Sequence, residues 1–521
     1  MKYPSRPHQY SVRNGLAKPR TATGSHSHTA AFISPPPEAR MFNSVFNAFQ
    51  PATNLVDLLW TPPQEKVRQL PGDTTTRTCP LPGNAKLLYV RDPQAMHKLA
   101  VDPAVDRGPG LVLLRSIFGA GTTFLLPRGK PHSQAAGQVN RHLSREKVEA
   151  LAPELADFAV KAVERVRDTV EARGSASVDL RQVVLGYLMD CGARAIAGVP
   201  VDLSSQVAVF QRGVDALHEE ASSVLKTALA AAQPWAANFM APKARQAAAK
   251  FQEAGRLMLV AAAEQHDLRD SLALATMKGW RIDPERVTAD SDFPRELKAK
   301  VSMDLAASLF TTANLIEMTL HHLYTHPQEL ETLRTAIQAD FPHGVGELTA
   351  LSECETYRLL LPLLTAHTPV AIVSRDVVKS TSFTDCHGQR HDLCAGDAVI
   401  FDIEGMQARQ RPDLERQLAA EDDGAKALKM MDRCPRGAMS MFYTGDNVCS
   451  GRYLAMAEAF LLIVQMVKTL DGEPAKGRQV IRGIVNHLDG DPKVEMRPAP
   501  PVPGARPGAA ISPPSPASAS A

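Results

Sequence analysis

The chain has 521 residues, 44% hydrophobic and 22% charged, enough to bury a sizeable core. Its 58 lysines and arginines stand against 56 aspartates and glutamates, and the net charge of +2 gives no electrostatic footprint for nucleic acid or an anionic membrane surface. The seven cysteines, Cys79, Cys191, Cys354, Cys386, Cys394, Cys434 and Cys449, are scattered and odd in number. That usage points to a reducing, cytoplasmic setting rather than a disulfide framework.

Residues 1–45 are expected to form a disordered tail. The first 37 residues carry Lys2, Arg6, Arg13, Lys18 and Arg20, many Ser and Thr, no acid, and no apolar core of the secretory kind. An organelle transit peptide or a bacterial export signal is the other reading of this stretch. The Pro/Ala/Ser-rich end, 493–521, is expected to be a second disordered tail. Between them, 46–492 shows no internal repeat and no dividing linker, so a single domain is expected.

Ala85–Val90 reads as a strand before the Asp92-Pro93 turn. Val148–Arg173, Val178–Ala197, Ser205–Ala231 and Pro242–Gln265 carry apolar residues at three-to-four spacing and predict helices. Lys298–Thr325 predicts a long helix, apolar nearly all round and therefore central, stopped at His326-Pro327 and followed by a helix over Gln328–Asp340. Ala398–Asp402, after Ala395-Gly396-Asp397, predicts a strand, and Gly451–Leu470 a helix. The most apolar stretch, Tyr453–Leu470, is interrupted by Glu458, Gln465 and Lys468, so no transmembrane anchor is expected. The class is mainly α with a minor β part, in one large helical domain.

Cys449 stands directly before the last of these helices. Free N–H groups and the positive end of the macrodipole favour a thiolate there, which makes Cys449 a ligand or a nucleophile. Gly445 and Gly451 bracket it and would let the backbone turn sharply against a flat cofactor. A buried structural cysteine is the ordinary reading of any lone cysteine. Here, however, the pattern Phe442-x-x-Gly445-x-x-x-Cys449-x-Gly451-Arg452-x-Leu454-Ala455-x-x-Glu458 resembles the haem-binding signature of the cytochrome P-450 family.

The resemblance implies haem b with Cys449 as the axial thiolate and Phe442 packed near its sulfur; thiolate ligation favours O–O cleavage. Other landmarks follow in order. Glu355 and Arg358 match the family's structural Glu-x-x-Arg pair. Arg375 and His132 would meet haem propionates, Arg375 because guanidinium pairs bidentately with carboxylate. Ala307 and Thr311 lie where the family places its oxygen-binding helix, so Ala307 would leave room above the iron and Thr311 would hold the oxygen ligand. A Thr bonding back to its own helix is an equal reading of Thr311.

Four positions depart from the family pattern. Asn447 replaces a basic residue, Ala136 an arginine, Phe310 an acid and Ser308 a glycine. Two cations near the propionates and the usual proton relay are thereby missing. The activity implied is monooxygenation of a small, mostly apolar molecule, with electrons from a ferredoxin or flavoprotein reductase. A partner-free isomerase or dehydratase of an oxidised substrate, and a degenerate haem-binding pseudoenzyme, are the alternatives. Substrate would be lined by the 105–124 loop, 205–240 and the helix near Ala307, while Lys429, Arg433, Arg436 and Arg452 offer positive charge to an acidic electron donor. Cys386, His387, His391 and Cys394 lie within nine residues and read as a polar hairpin in preference to a zinc site. His321, His322 and His326 read as solvated helix-end residues.

Overall fold

The computed structural model describes residues 76–80, 86–107, 112–119, 121–221, 239, 241–265, 270–342, 344–345, 354–420, 440–478, 480–481, 487–488 and 492–500. Strands β1 (Thr76–Pro80) and β2 (Lys86–Val90) come first, then helix α1 (Pro93–Val101), β3 (Val105–Asp106), α2 (Val112–Phe118), α3 (Lys130–His142) and α4 (Arg145–Glu171). After β4 (Ala176–Asp179) come α5 (Leu180–Ala197), α6 (Ser204–Ala221), α7 (Pro242–Glu264), α8 (Leu272–Gly279), α9 (Arg295–Thr325), α10 (Pro327–Asp340) and α11 (Glu355–Ala366). The chain continues through β5 (Ile372–Val377), β6 (Thr381–Thr384), β7 (Arg390–Leu393), β8 (Ala398–Asp402), α12 (Ile403–Ala420), α13 (Arg452–Thr469), β9 (Leu470–Pro474), β10 (Val480–Ile481), β11 (His487–Leu488) and β12 (Lys493–Pro498). This is the mainly helical fold with a small β part that the patterning predicts.

The 31-residue α9 is the axis of the fold, packed against α5, α7 and α13. Its apolar residues occupy every face, so such a helix is stable only when surrounded by others. Glycines permit the closest approaches. A Cβ on Gly255 of α7 would run into the Lys298 carbonyl of α9, and a Cβ on Gly192 of α5 would meet Leu305. α9 ends where Pro327 opens α10, as the His326-Pro327 pair predicts. α5 begins with the Asp179 carboxylate accepting the Gln182 N–H and ends at Gly198, whose φ of +80° suits a left-handed cap. Among the described residues, no helix is long and apolar enough to cross a membrane.

The larger sheet has the order β1-β2-β8-β5-β3, with β2 and β8 parallel and the other pairs antiparallel. The strands predicted over Ala85–Val90 and Ala398–Asp402 are observed as β2 and β8, which are therefore sheet neighbours. The helix predicted over Ser205–Ala231 is observed as α6, and 222–231 lie outside the described residues, as do residues 1–45 and 501–521. One boundary needs correcting. The tail expected from 493 begins with a strand, β12, which pairs with β4 and β9 and buries Val494 and Met496. The alternation Val494-Glu495-Met496-Arg497 carries that signal, and the Pro/Ala-rich stretch beyond it obscured it.

Candidate functional site

The loop before α13 is built by its own backbone and fastened to two helices. A turn over Ser440–Phe442 is anchored to α12, with the Ser440 hydroxyl 3.0 Å from Gln410 Oε1 and the Met441 N–H donating to Gln407 Oε1. Thr444 Oγ1 lies 3.0 Å from Nδ1 of His97 on α1. Gly445 has φ +67°, and a Cβ there would meet Val101 and the Ala100 carbonyl of α1. The Cys449 N–H closes the loop by donating to the Phe442 carbonyl at 2.8 Å, and Phe442 packs on the main core. Gly451, the N-cap of α13, has open space where its Cβ would be. That opening leaves room for a flat group to lie against the backbone.

Cys449 is reachable by solvent yet surrounded by dense protein, the combination expected of a thiol facing a recess. Burial pushes its pKa up; the Gly451 N–H and the Arg452 charge pull the other way without prevailing. The thiolate expected from the helix N-terminus alone is thus not favoured in the ligand-free fold. A coordinated metal ion would deprotonate the thiol outright.

Behind the loop sits a cluster of positive charge. The Arg375 guanidinium stacks over the Tyr443 ring at 4.8 Å, and Arg107 and Arg128 lie within electrostatic reach of the same ring. The three cations bond to carbonyls: Arg375 Nη1 to Ser374, Arg107 Nη1 to Leu126 at 2.9 Å, and Arg128 to Asp102 and Ala100. Asp106 is occupied by the backbone N–H groups of Arg107 and Arg128. Burial, and then the charge of Arg375, lower the pKa of Arg107 to about 10. Arg128 Nε, Arg375 Nε, the Tyr443 hydroxyl and both amide atoms of Asn447 are buried without a protein partner. Buried polar groups are rarely left in this state, and never cheaply. The arrangement suits an anionic ligand with several oxygen atoms.

On α9, Ala307 is exposed within a helix that is otherwise largely buried, so its face borders open space. Thr311 Oγ1 donates to the Ala307 carbonyl at 3.1 Å, the back-bonded arrangement. The Ser308 hydroxyl donates to Oε2 of Glu458 on α13 at 3.4 Å. Glu458 is fully buried, its Oε1 has no partner, and burial drives its pKa well above the carboxylate range. Phe310 lines a narrow pocket with Phe210 and the Arg181–Glu317 pair.

The remaining predicted residues fall at different distances from chemistry. His132 is buried in α3. Glu355 and Arg358 form a two-pronged pair on α11, half-exposed. The Cys386–Cys394 segment forms the β6–β7 hairpin, in which His391 bonds to Asp385 at 2.9 Å and stacks on Phe383. Of the helix-end histidines, His326 is exposed as expected, while His321 and His322 are half-buried. His322 stacks on His326 at 3.9 Å and meets His367 at 4.9 Å. Lys429, Arg433 and Arg436 lie outside the described residues. Arg107, Arg128 and Tyr443 are the residues that sequence reasoning missed. The one signal available for Tyr443 was its large side chain between Phe442 and Gly445, in a loop that turns sharply.

No protein-family model matches the chain. It is similar to a cytochrome P450 52E2 of Candida apicola, 25% identical over 212 residues that cover 37% of this chain. The similar segment spans 40% of the relative's length. The similarity supports a distant relationship to haem-thiolate oxidoreductases, carried by part of the chain.

Proposed function

We propose that the chain binds haem b through Cys449 and works as a haem-thiolate monooxygenase on a small, mostly apolar substrate. The observation that carries this reading is the cluster of Arg107, Arg128 and Arg375, which bond to carbonyls and make no ion pair among the described residues, beside the loop that presents Cys449. A group with two carboxylates and a metal bound by thiolate answers both features. Arg375, with Arg107 and the Asn447 amide, would hold the carboxylates in place of the cations missing at 136 and 447. When bound, thiolate-ligated haem supplies the chemistry of oxygen activation.

The protein's own residues then exclude water, shape the pocket and supply protons. Ala307 keeps α9 thin where substrate approaches. Glu458, its pKa raised by burial, adjoins Ser308 one turn of α9 from Thr311, and would offer an acid where Phe310 stands in place of the usual one. An electron donor, a ferredoxin or flavoprotein reductase, would dock at the cleft lined by Asn140, Arg145, Glu149, Val448, Ser450 and Arg452. The test is the spectrum of the dithionite-reduced protein under carbon monoxide, beside Cys449→Ala. A band near ~450 nm that the variant lacks is the expected result. Well-folded protein without haem from haem-supplemented cells would overturn the reading.

A further inference from the structure

Tyr443 pays twice for its place. It adopts φ +61°, a region that side-chain-bearing residues other than Asn and Asp seldom enter, and its hydroxyl is buried with no protein partner. Packing alone explains neither cost. The ring contacts, on Phe401 at 5.5 Å and under Arg375 at 4.8 Å, would be kept by phenylalanine, and the backbone conformation would be relieved by glycine. A phenol retained under both penalties is a hydrogen-bond donor held for something outside the chain. Its surroundings say what that is. With Arg107, Arg128 and Arg375 around it, the hydroxyl faces a field that concentrates negative charge.

We infer that the Tyr443 hydroxyl donates a hydrogen bond to a carboxylate of the bound cofactor, with Arg375 stacked on the ring to hold it in place. The inference rests on the haem reading above and assigns a positioning role to a residue of the cysteine loop. Through that loop, which runs from Tyr443 to the bond between the Cys449 N–H and the Phe442 carbonyl, the carboxylate contact also sets where the thiol stands.

The experiment compares haem release from the wild type, Tyr443→Phe and Tyr443→Gly, followed as transfer to excess apomyoglobin. Each protein is loaded either with haem or with its dimethyl ester, in which both carboxylates are blocked. Release from Tyr443→Phe is expected to be on the order of tenfold faster than from wild type with haem, and equal to it with the ester. Without ligand, Tyr443→Phe is expected to melt slightly above the wild type, because it removes the unpartnered buried hydroxyl, and Tyr443→Gly below it, because the lost ring burial exceeds the relief at φ +61°. Equal release from wild type and Tyr443→Phe with ordinary haem would overturn the inference and leave the haem reading standing. So would an acceleration that persists with the ester. A wild type that takes up no haem would overturn the reading itself.

Discussion

Two regions of the core treat buried charge in opposite ways. Where α5 crosses α9, Arg181 meets the almost fully buried Glu317 through two bonds of 2.9 and 3.0 Å, so the acid is neutralised within the fold. Behind the cysteine loop, three guanidiniums gather around Tyr443, bonded to carbonyls, with several polar atoms left without partners. A fold that can pair a buried acid so completely does not leave cations uncompensated for want of means. The difference separates charge that serves the architecture from charge that serves a ligand.

Breaking the paired region should have the largest effect. Arg181→Met leaves Glu317 buried and alone, and is expected to cost about 3–5 kcal/mol in chemical denaturation, while the double variant Arg181→Met/Glu317→Leu recovers most of that. A small loss in the single variant would dissolve the contrast between the regions.

Glu458 comes next, as a buried acid whose partner is only a hydroxyl. Its folded pKa lies above its unfolded value, so its contribution to stability is complete below about pH 4 and declines as pH rises toward the folded value. Glu458→Gln is therefore expected to match the wild type at pH 4 and to become the more stable of the two as pH rises to 8, read from denaturation midpoints across that range. Parallel pH profiles for the two proteins would mean that the carboxyl is not held protonated.

His367 tests the same logic with the sign reversed. Burial, and then the charge of His322, push its pKa down to about 3, so the folded state resists protonation. Stability should be full above about pH 6.5 and fall as acid takes the unfolded chain through its own titration. His367→Gln should flatten that acid limb by about 1 kcal/mol or more, read from thermal midpoints between pH 4 and 7.

The smallest effect is expected in the region around Tyr443. Arg107→Met removes one of three like charges and a carbonyl bond, so the ligand-free protein should change by no more than about 1 kcal/mol. Haem retention, in contrast, should fall. A loss as large as that of Arg181→Met would show that Arg107 belongs to the architecture.

Much of this organisation is legible in the chain because its signals are local. Apolar periodicity marks α4, α5, α7 and α9; Pro327 marks the junction with α10; and the loop from Phe442 to Gly451 is compact enough to be recognised in one dimension. Strand β12 was obscured because its alternation spans only a few residues beside a Pro-rich stretch. The left-handed Tyr443 was not legible, because a backbone angle depends on what surrounds the loop.

The helical class, the central helix and the cysteine at a helix entrance are written along the chain, since propensity, periodicity and capping act over a few residues. Which distant groups meet is settled by packing. Arg107, Arg128 and Arg375 are separated by as much as half the chain yet surround one ring, Ser308 reaches Glu458 across two helices, and the Cys449 thiol has its pKa raised by burial despite its helix N-terminus. Desolvation and Coulomb forces act through space, and no pattern of neighbours along the chain encodes them.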